Sequence, residues 1–194
     1  MKTLHPLAFV LCATFALSSA RATTVIPPTF DELVSQAEVI IQGTVTDVKS
    51  QWTGEGAQRH IVSYVTVKVE ETIKGKAGDS YTLQMLGGTV GEDTMEVSDS
   101  PKFAVGDRDI LFVVDNGKQF VPLVGIMHGR FHVKQDKQTG ADMILADNGD
   151  AITNLHAIGK QDEAVSTKAN TNAVERPLDV ATFKAAIRSK LAAK

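Results

Sequence analysis

Cysteine is nearly absent from this chain of 194 residues: Cys12 is its only one. Disulfide scaffolds, thiol nucleophiles that need a second cysteine, and zinc sites built on two or more thiolates are therefore excluded. Basic residues are outnumbered, 20 Lys and Arg against 23 Asp and Glu. A chain with that balance is not built to coat nucleic acid or an anionic membrane.

Long apolar runs are also missing. The longest apolar stretch near the start, residues 7–17 (LAFVLCATFAL), is eleven residues, well short of the roughly 20 that span a bilayer. Lys2 precedes it, and Ala20-Arg21-Ala22 follows with the small-x-small pattern of a signal-peptidase site. Residues 1–22 are accordingly expected to be a secretory leader, with no membrane anchor left after cleavage. Loss of Lys2 and Arg21 leaves 18 basic against 23 acidic residues, a formal charge of −5. Cys12 departs with the leader, and Leu11 before it is not the small residue of a lipoprotein site. A cysteine-free exported domain points to a bacterial periplasmic or secreted protein.

The remainder reads as mainly β. Pro27-Pro28 and the box Thr29-Phe30-Asp31-Glu32 start a short helix over residues 30–37. Period-two alternation then marks strands at residues 38–49, 61–70 and 81–86. Further strands are expected at 110–114, 120–126, 129–134 and 142–146. Residues 50–58, with Gly54, Gly56 and Trp52, read as an exposed loop, and 87–102 as a long connection. Residues 159–178 form a polar linker. Asp179 caps a final helix over 179–194, in which Val180, Phe183, Ile187 and Leu191 share a face.

Three stretches carry a family likeness. They are Ala37-Glu38-Val39-Ile40-Ile41-Gln42-Gly43-Thr44-Val45, the run ending Glu71-Thr72-Ile73-Lys74-Gly75, and Gly106-Asp107-Arg108-Asp109-Ile110-Leu111-Phe112-Val113. Together, over residues 37–114, they resemble the netrin-like and tissue-inhibitor-of-metalloproteinases group of OB-fold modules, and within it the small exported bacterial proteins of that pattern. The resemblance implies an OB-like antiparallel β-barrel over residues 23–158, plugged by the short N-terminal helix. A two-sheet sandwich is the alternative. The animal inhibitors grip the protease zinc through an N-terminal cysteine, which this chain lacks, so that mechanism does not carry over.

The sharpest local pattern is His128, Arg130, His132 and Lys134, which alternate with Gly129, Phe131 and Val133. On one strand all four project from one face. That face is either simply solvated, or a patch for an anionic or protein partner, or a place where two histidines share a metal. Gly87-Gly88-Thr89-Val90-Gly91 lacks the Lys-Ser/Thr of a phosphate loop, and Glu92, Asp93, Glu96 and Asp99 do not have EF-hand spacing. No G-x-S-x-G or Ser-x-x-Lys is present. Trp52 is a candidate interface anchor; its alternative is to fold back onto the barrel.

The expectation is therefore an exported, non-enzymatic binding protein that engages another exported protein, with a protease as one candidate. Its partner-binding residues are Trp52, His128, Arg130 and His132, and it needs no cofactor, metal or nucleic acid. A small-ligand or oligosaccharide carrier and a hydrolase with an unrecognised site are the competing classes.

Overall fold

Thr29 starts the first helix by reciprocal capping. Its hydroxyl accepts from the Glu32 amide at 3.3 Å, and its own amide donates to the Glu32 carboxylate at 2.8 Å. The Thr29 amide and the Thr29 hydroxyl, both donating to the Glu32 carboxylate, hold that carboxyl below its ordinary value. The helix, α1, spans Phe30–Gln36 and buries Phe30, Leu33 and Val34. The computed structural model of the chain describes residues 26–159 and 176–193. The leader expected at 1–22 and most of the linker expected at 159–178 lie outside the described residues.

Among the described residues eight strands follow: β1 Val39–Thr53, β2 His60–Lys74, β3 Ser80–Leu86, β4 Gly88–Val90, β5 Asp93–Met95, β6 Arg108–Val113, β7 Arg130–Gln135 and β8 Asp142–Ala146. Six form one antiparallel sheet in the order β3-β2-β1-β6-β7-β8, and β4 and β5 make a separate small hairpin. Among the described residues the protein is thus mainly β with two α-helices, the second being α2, Val180–Ala192. The sheet is not closed into a ring, because both edges bond to something else. On β3, the Gln84 amide donates to the Asn116 side chain, whose own NH2 donates to the Thr82 carbonyl, and the Leu86 amide donates to the Phe120 carbonyl. On β8, the Ile144 amide donates to the Leu178 carbonyl and the Ala146 amide to the Asp150 carbonyl.

Three expected boundaries are corrected. The first loop is much shorter than 50–58: β1 runs on to Thr53, with Ser50 opposite Ser63 and Trp52 opposite Ile61. Polar residues do not end a ladder whose backbone bonds continue. Residues 120–126 do not form a strand. Pro122 has no amide to give, Ile126 takes a positive φ, and only Leu123 bridges to Val113. The connection 87–102 is not structureless, since it carries the β4–β5 hairpin.

The β1–β2 ladder shifts register at three places, between Ile40/Ile41, Gln42/Gly43 and Val45/Asp47. Such bulges bend a sheet. Gly43 is required at one of them, because a Cβ there would lie 2.4 Å from the Lys68 carbonyl oxygen.

The sheet is covered on both sides. On the helix face, Ile40, Ile110, Phe112, Phe131, Val133 and Ile144 pack against α1 and α2. Phe183 of α2 sits among three rings, 5.6 Å from Phe30, 5.1 Å from Phe131 and 6.3 Å from Phe112. On the loop face, Ile41, Val45, Val67, Leu83 and Leu111 pack with Val121 and Leu123 from the connection after β6. The C-terminal helix is thus part of the core. Asp179 caps it by accepting from the Thr182 amide at 2.8 Å. Lys184 ties it to the sheet through the Gln42 side chain and the Glu71 carboxylate, each at 2.8 Å, and Arg188 adds a second cation on Glu71. Burial pushes the Glu71 carboxyl up, but Lys184 and Arg188 outweigh it and leave it below its usual value. Truncating Phe183 to Ala is expected to destabilise the protein by about 3–5 kcal/mol, read as a lower urea midpoint. A helix that were only a loosely attached handle would leave the midpoint unchanged.

Candidate functional site

Arg130 opens β7, opposite Leu111 of β6, and His132 lies opposite Asp109. The alternation of the strand turns Arg130 and His132 onto the loop face, where the side chain of Asp109 also lies. This is not a solvated face: Arg130 is 2% exposed and Asp109 1%. A guanidinium removed from water needs partners for its five N–H groups. Nε donates to Asp109 Oδ2 at 3.0 Å and one terminal nitrogen to Asp107 Oδ2 at 2.7 Å. The other donates to the Lys102 carbonyl at 2.8 Å and to Asp147 Oδ1 at 3.3 Å. The Phe103 ring lies 4.0 Å from the guanidinium carbon.

His132 completes the cluster. Its Nδ1 is 2.7 Å from Asp109 Oδ1, and its Nε2 is 3.3 Å from the Asp147 carbonyl. Three carboxylates thus surround one guanidinium and one imidazole, and their environments split them. Burial raises the Asp107 carboxyl, but the Ala104 amide and Arg130 overcome it and hold it below its ordinary value. Asp147 is raised, chiefly by burial, against the pull of Arg130 and His132.

The expected four-residue stripe is not brought together. His128 lies in a short helical turn, Ile126–Gly129, before the strand begins. It is half-buried, and burial lowers its pKa despite Asp147 and Asp99 nearby. Lys134 is exposed. Trp52 is not in a loop. It is the last residue but one of β1, on the face that carries Val48 and Ser50, with the Arg59 guanidinium 4.1 Å from its ring centre. Asp107, Asp109, Asp147 and Phe103 were missed by the sequence reading. Asp109, one residue before a run of five apolar ones, was the available signal, because its alternation places it on the same face as Leu111.

Two of the residues that Arg130 grips, Lys102 and Asp107, belong to the connection between β5 and β6, and residues 97–103 of that connection wall a cleft of about 610 Å3. Its floor is the outer half of the β1–β2 hairpin with β3: Val48, Val65 and Met85. The β4–β5 hairpin forms a second wall, seated at Gly88, where a Cβ would lie 2.2 Å from Ser63 Oγ and 2.4 Å from Ser50 Oγ. Lys102 and Phe103 are therefore shared between the ion cluster and the cleft. The size is that of a small-molecule site. The hydroxyls whose bonds are fixed lead to other hydroxyls or a carbonyl rather than to a base: Ser50 to Ser63, Ser63 to the Gly87 carbonyl, Thr89 to Thr94. Among the described residues no group of three or more His, Cys, Asp or Glu side chains is arranged to hold a metal ion.

No protein-family model and no curated protein matches the chain.

Replacing Arg130 by Met leaves three carboxylates without their cation. The expected loss is about 3–5 kcal/mol, measured by urea unfolding at neutral pH. Arg130→Lys recovers only part of it, because an ammonium cannot reach all four acceptors. A pH titration of stability isolates His128. Its folded pKa lies below the unfolded value near 6.5, so protons bind the unfolded chain preferentially and His128 lowers stability as pH falls through that value. His128→Gln should flatten the stability curve between about pH 7 and 5, a window set by the ordinary histidine pKa; an unchanged slope would rule the assignment out.

Proposed function

We propose that this protein is an exported, non-enzymatic binding module of the OB-like, netrin-like kind, and that it holds a small ligand in the cleft on the loop face of its sheet. The observation that carries this reading is the cleft itself, about 610 Å3 with an apolar floor and hydroxyl-bearing walls. Arg130 and His132 are spent on internal partners, so the binding surface is assigned to the wall they support rather than to the stripe. This ranks ligand carriage ahead of an exported protein partner engaged through Trp52 and the neighbouring loops.

Several features support the OB-like reading. An OB fold is a five-stranded, partly open barrel whose sheet face and loops bind ligands. Here β1 is long, bent at three register shifts, and shared between β2 along its length and β6 along its first half. Export rests on the leader pattern over residues 1–22 and the cysteine-free remainder. Expression in a bacterium followed by mass analysis of the periplasmic and secreted fractions should give a chain beginning at Thr23; a cytoplasmic chain retaining Met1 would refute export.

The cleft is tested by a thermal-shift screen of small molecules against the wild type and Val48→Trp, a variant that fills the floor. A ligand that binds only the folded state raises the melting temperature by mass action. Compounds that stabilise the wild type and not the variant establish the site. Equal shifts in both proteins, or none in either alongside capture of a specific exported protein, would transfer the function to another surface.

A further inference from the structure

The Ser50–Ser63 hydroxyl pair, beside the apolar floor of the cleft, has one arrangement of protons that makes both of its bonds. Ser63 Oγ lies 2.6 Å from the Gly87 carbonyl, which can only accept, so Ser63 donates there. Ser50 Oγ is 2.8 Å from Ser63 Oγ. With the Ser63 proton already committed, Ser50 must be the donor in that contact. In that arrangement Ser50 offers lone pairs to a ligand, and can give up its proton only by breaking the bond to Ser63.

The charges lining the cleft point the same way. Glu96 and Asp99 are carboxylates, and Lys102 is the one cation among the described residues that line it. Lys102 is 3.1 Å from Glu96, so its charge is matched and Asp99 is left in excess. Asp99 also holds a positive φ of 60° in an exposed segment. Below these groups the surface is apolar, formed by Val48, Val65 and Met85, with the Phe103 ring at the side. Methionine and valine offer no polar atom that would require a sugar hydroxyl or a phosphate.

Building on the cleft reading, we infer that the ligand is a small amphipathic amine: an apolar chain or ring system with an ammonium or N–H donor head. A carboxylate or phosphate head would meet a lining of net negative charge, and a Ser50 whose proton is engaged by Ser63. An ammonium head meets acceptors and a carboxylate.

Three probes with the same chain and different heads, octylamine, octanol and octanoate, separate these cases when titrated into the full protein by calorimetry. The single tryptophan, Trp52, two residues beyond Ser50 on the same strand face, provides an independent fluorescence signal. Octylammonium is expected to bind about fivefold more tightly than octanoate at low salt, the size of solvent-screened charge contacts. That preference should shrink towards unity at high salt. Asp99→Asn, which keeps the left-handed backbone that asparagine accepts, should also reduce it to about twofold. Octanoate binding as well as or better than octylammonium would overturn the head-group assignment and leave the cleft standing. So would a preference that survives both salt and Asp99→Asn. Binding of no probe by a protein that gives hits in the thermal screen would overturn the amphipathic class. Unchanged binding by Val48→Trp, shown folded by circular dichroism, would instead sink the cleft reading on which this inference rests.

Discussion

A single guanidinium shut off from water joins segments that are far apart in sequence. Arg130 binds residues 102, 107, 109 and 147, which belong to a loop, the start of a strand and the turn after the last strand. Burying the charge would be prohibitive without those acceptors. A buried ion cluster adds little net stability over a well-packed apolar substitute. What it fixes here is position: the loop can satisfy Arg130 only when the Lys102 carbonyl, the Phe103 ring and the Asp107 carboxylate all face inward. The cleft owes one of its walls to that condition.

The two faces of the sheet are organised by different physics. The helix face is closed by aromatic and aliphatic contacts, with Phe183 in the middle of the ring cluster and Glu71 tethering α2 from its side. The loop face is apolar near β6 and becomes polar and open towards the far end of the β1–β2 hairpin. Rigid packing on one side supports a recess on the other. A site framed by strands needs no large helix movement to keep its shape.

Local signals in the sequence were readable where one element answers to its own residues. The Thr29–Glu32 box, the Asp179 cap and the two-residue period of β2 each specify backbone without outside help, and the structure has them where the pattern puts them. The Arg130 cluster was not readable in that way. Arg130 and His132 look solvated in isolation because long polar side chains alternate with Phe131 and Val133. Their burial depends on Asp107 and Asp109, some twenty residues earlier, and on a loop that folds over them. Trp52 was misplaced for a related reason: cross-strand pairs such as Ser50 with Ser63 extend the hairpin, and no single-strand pattern records a partner.

The bonded edges of the sheet bear on how the molecule behaves in company. An uncovered strand recruits other strands, including those of its own copies. Here the amide of Asn116 imitates a strand residue against β3, donating to Thr82 and accepting from Gln84, while the segment leading into α2 does the same for β8. The caps come from segments that follow the strands they protect, residues 116 and 120 for β3 and residues 150 and 178 for β8, so each edge stays unpaired until its own cap has docked. Losing a cap, rather than losing a strand, is then what would uncover an edge able to pair with another chain.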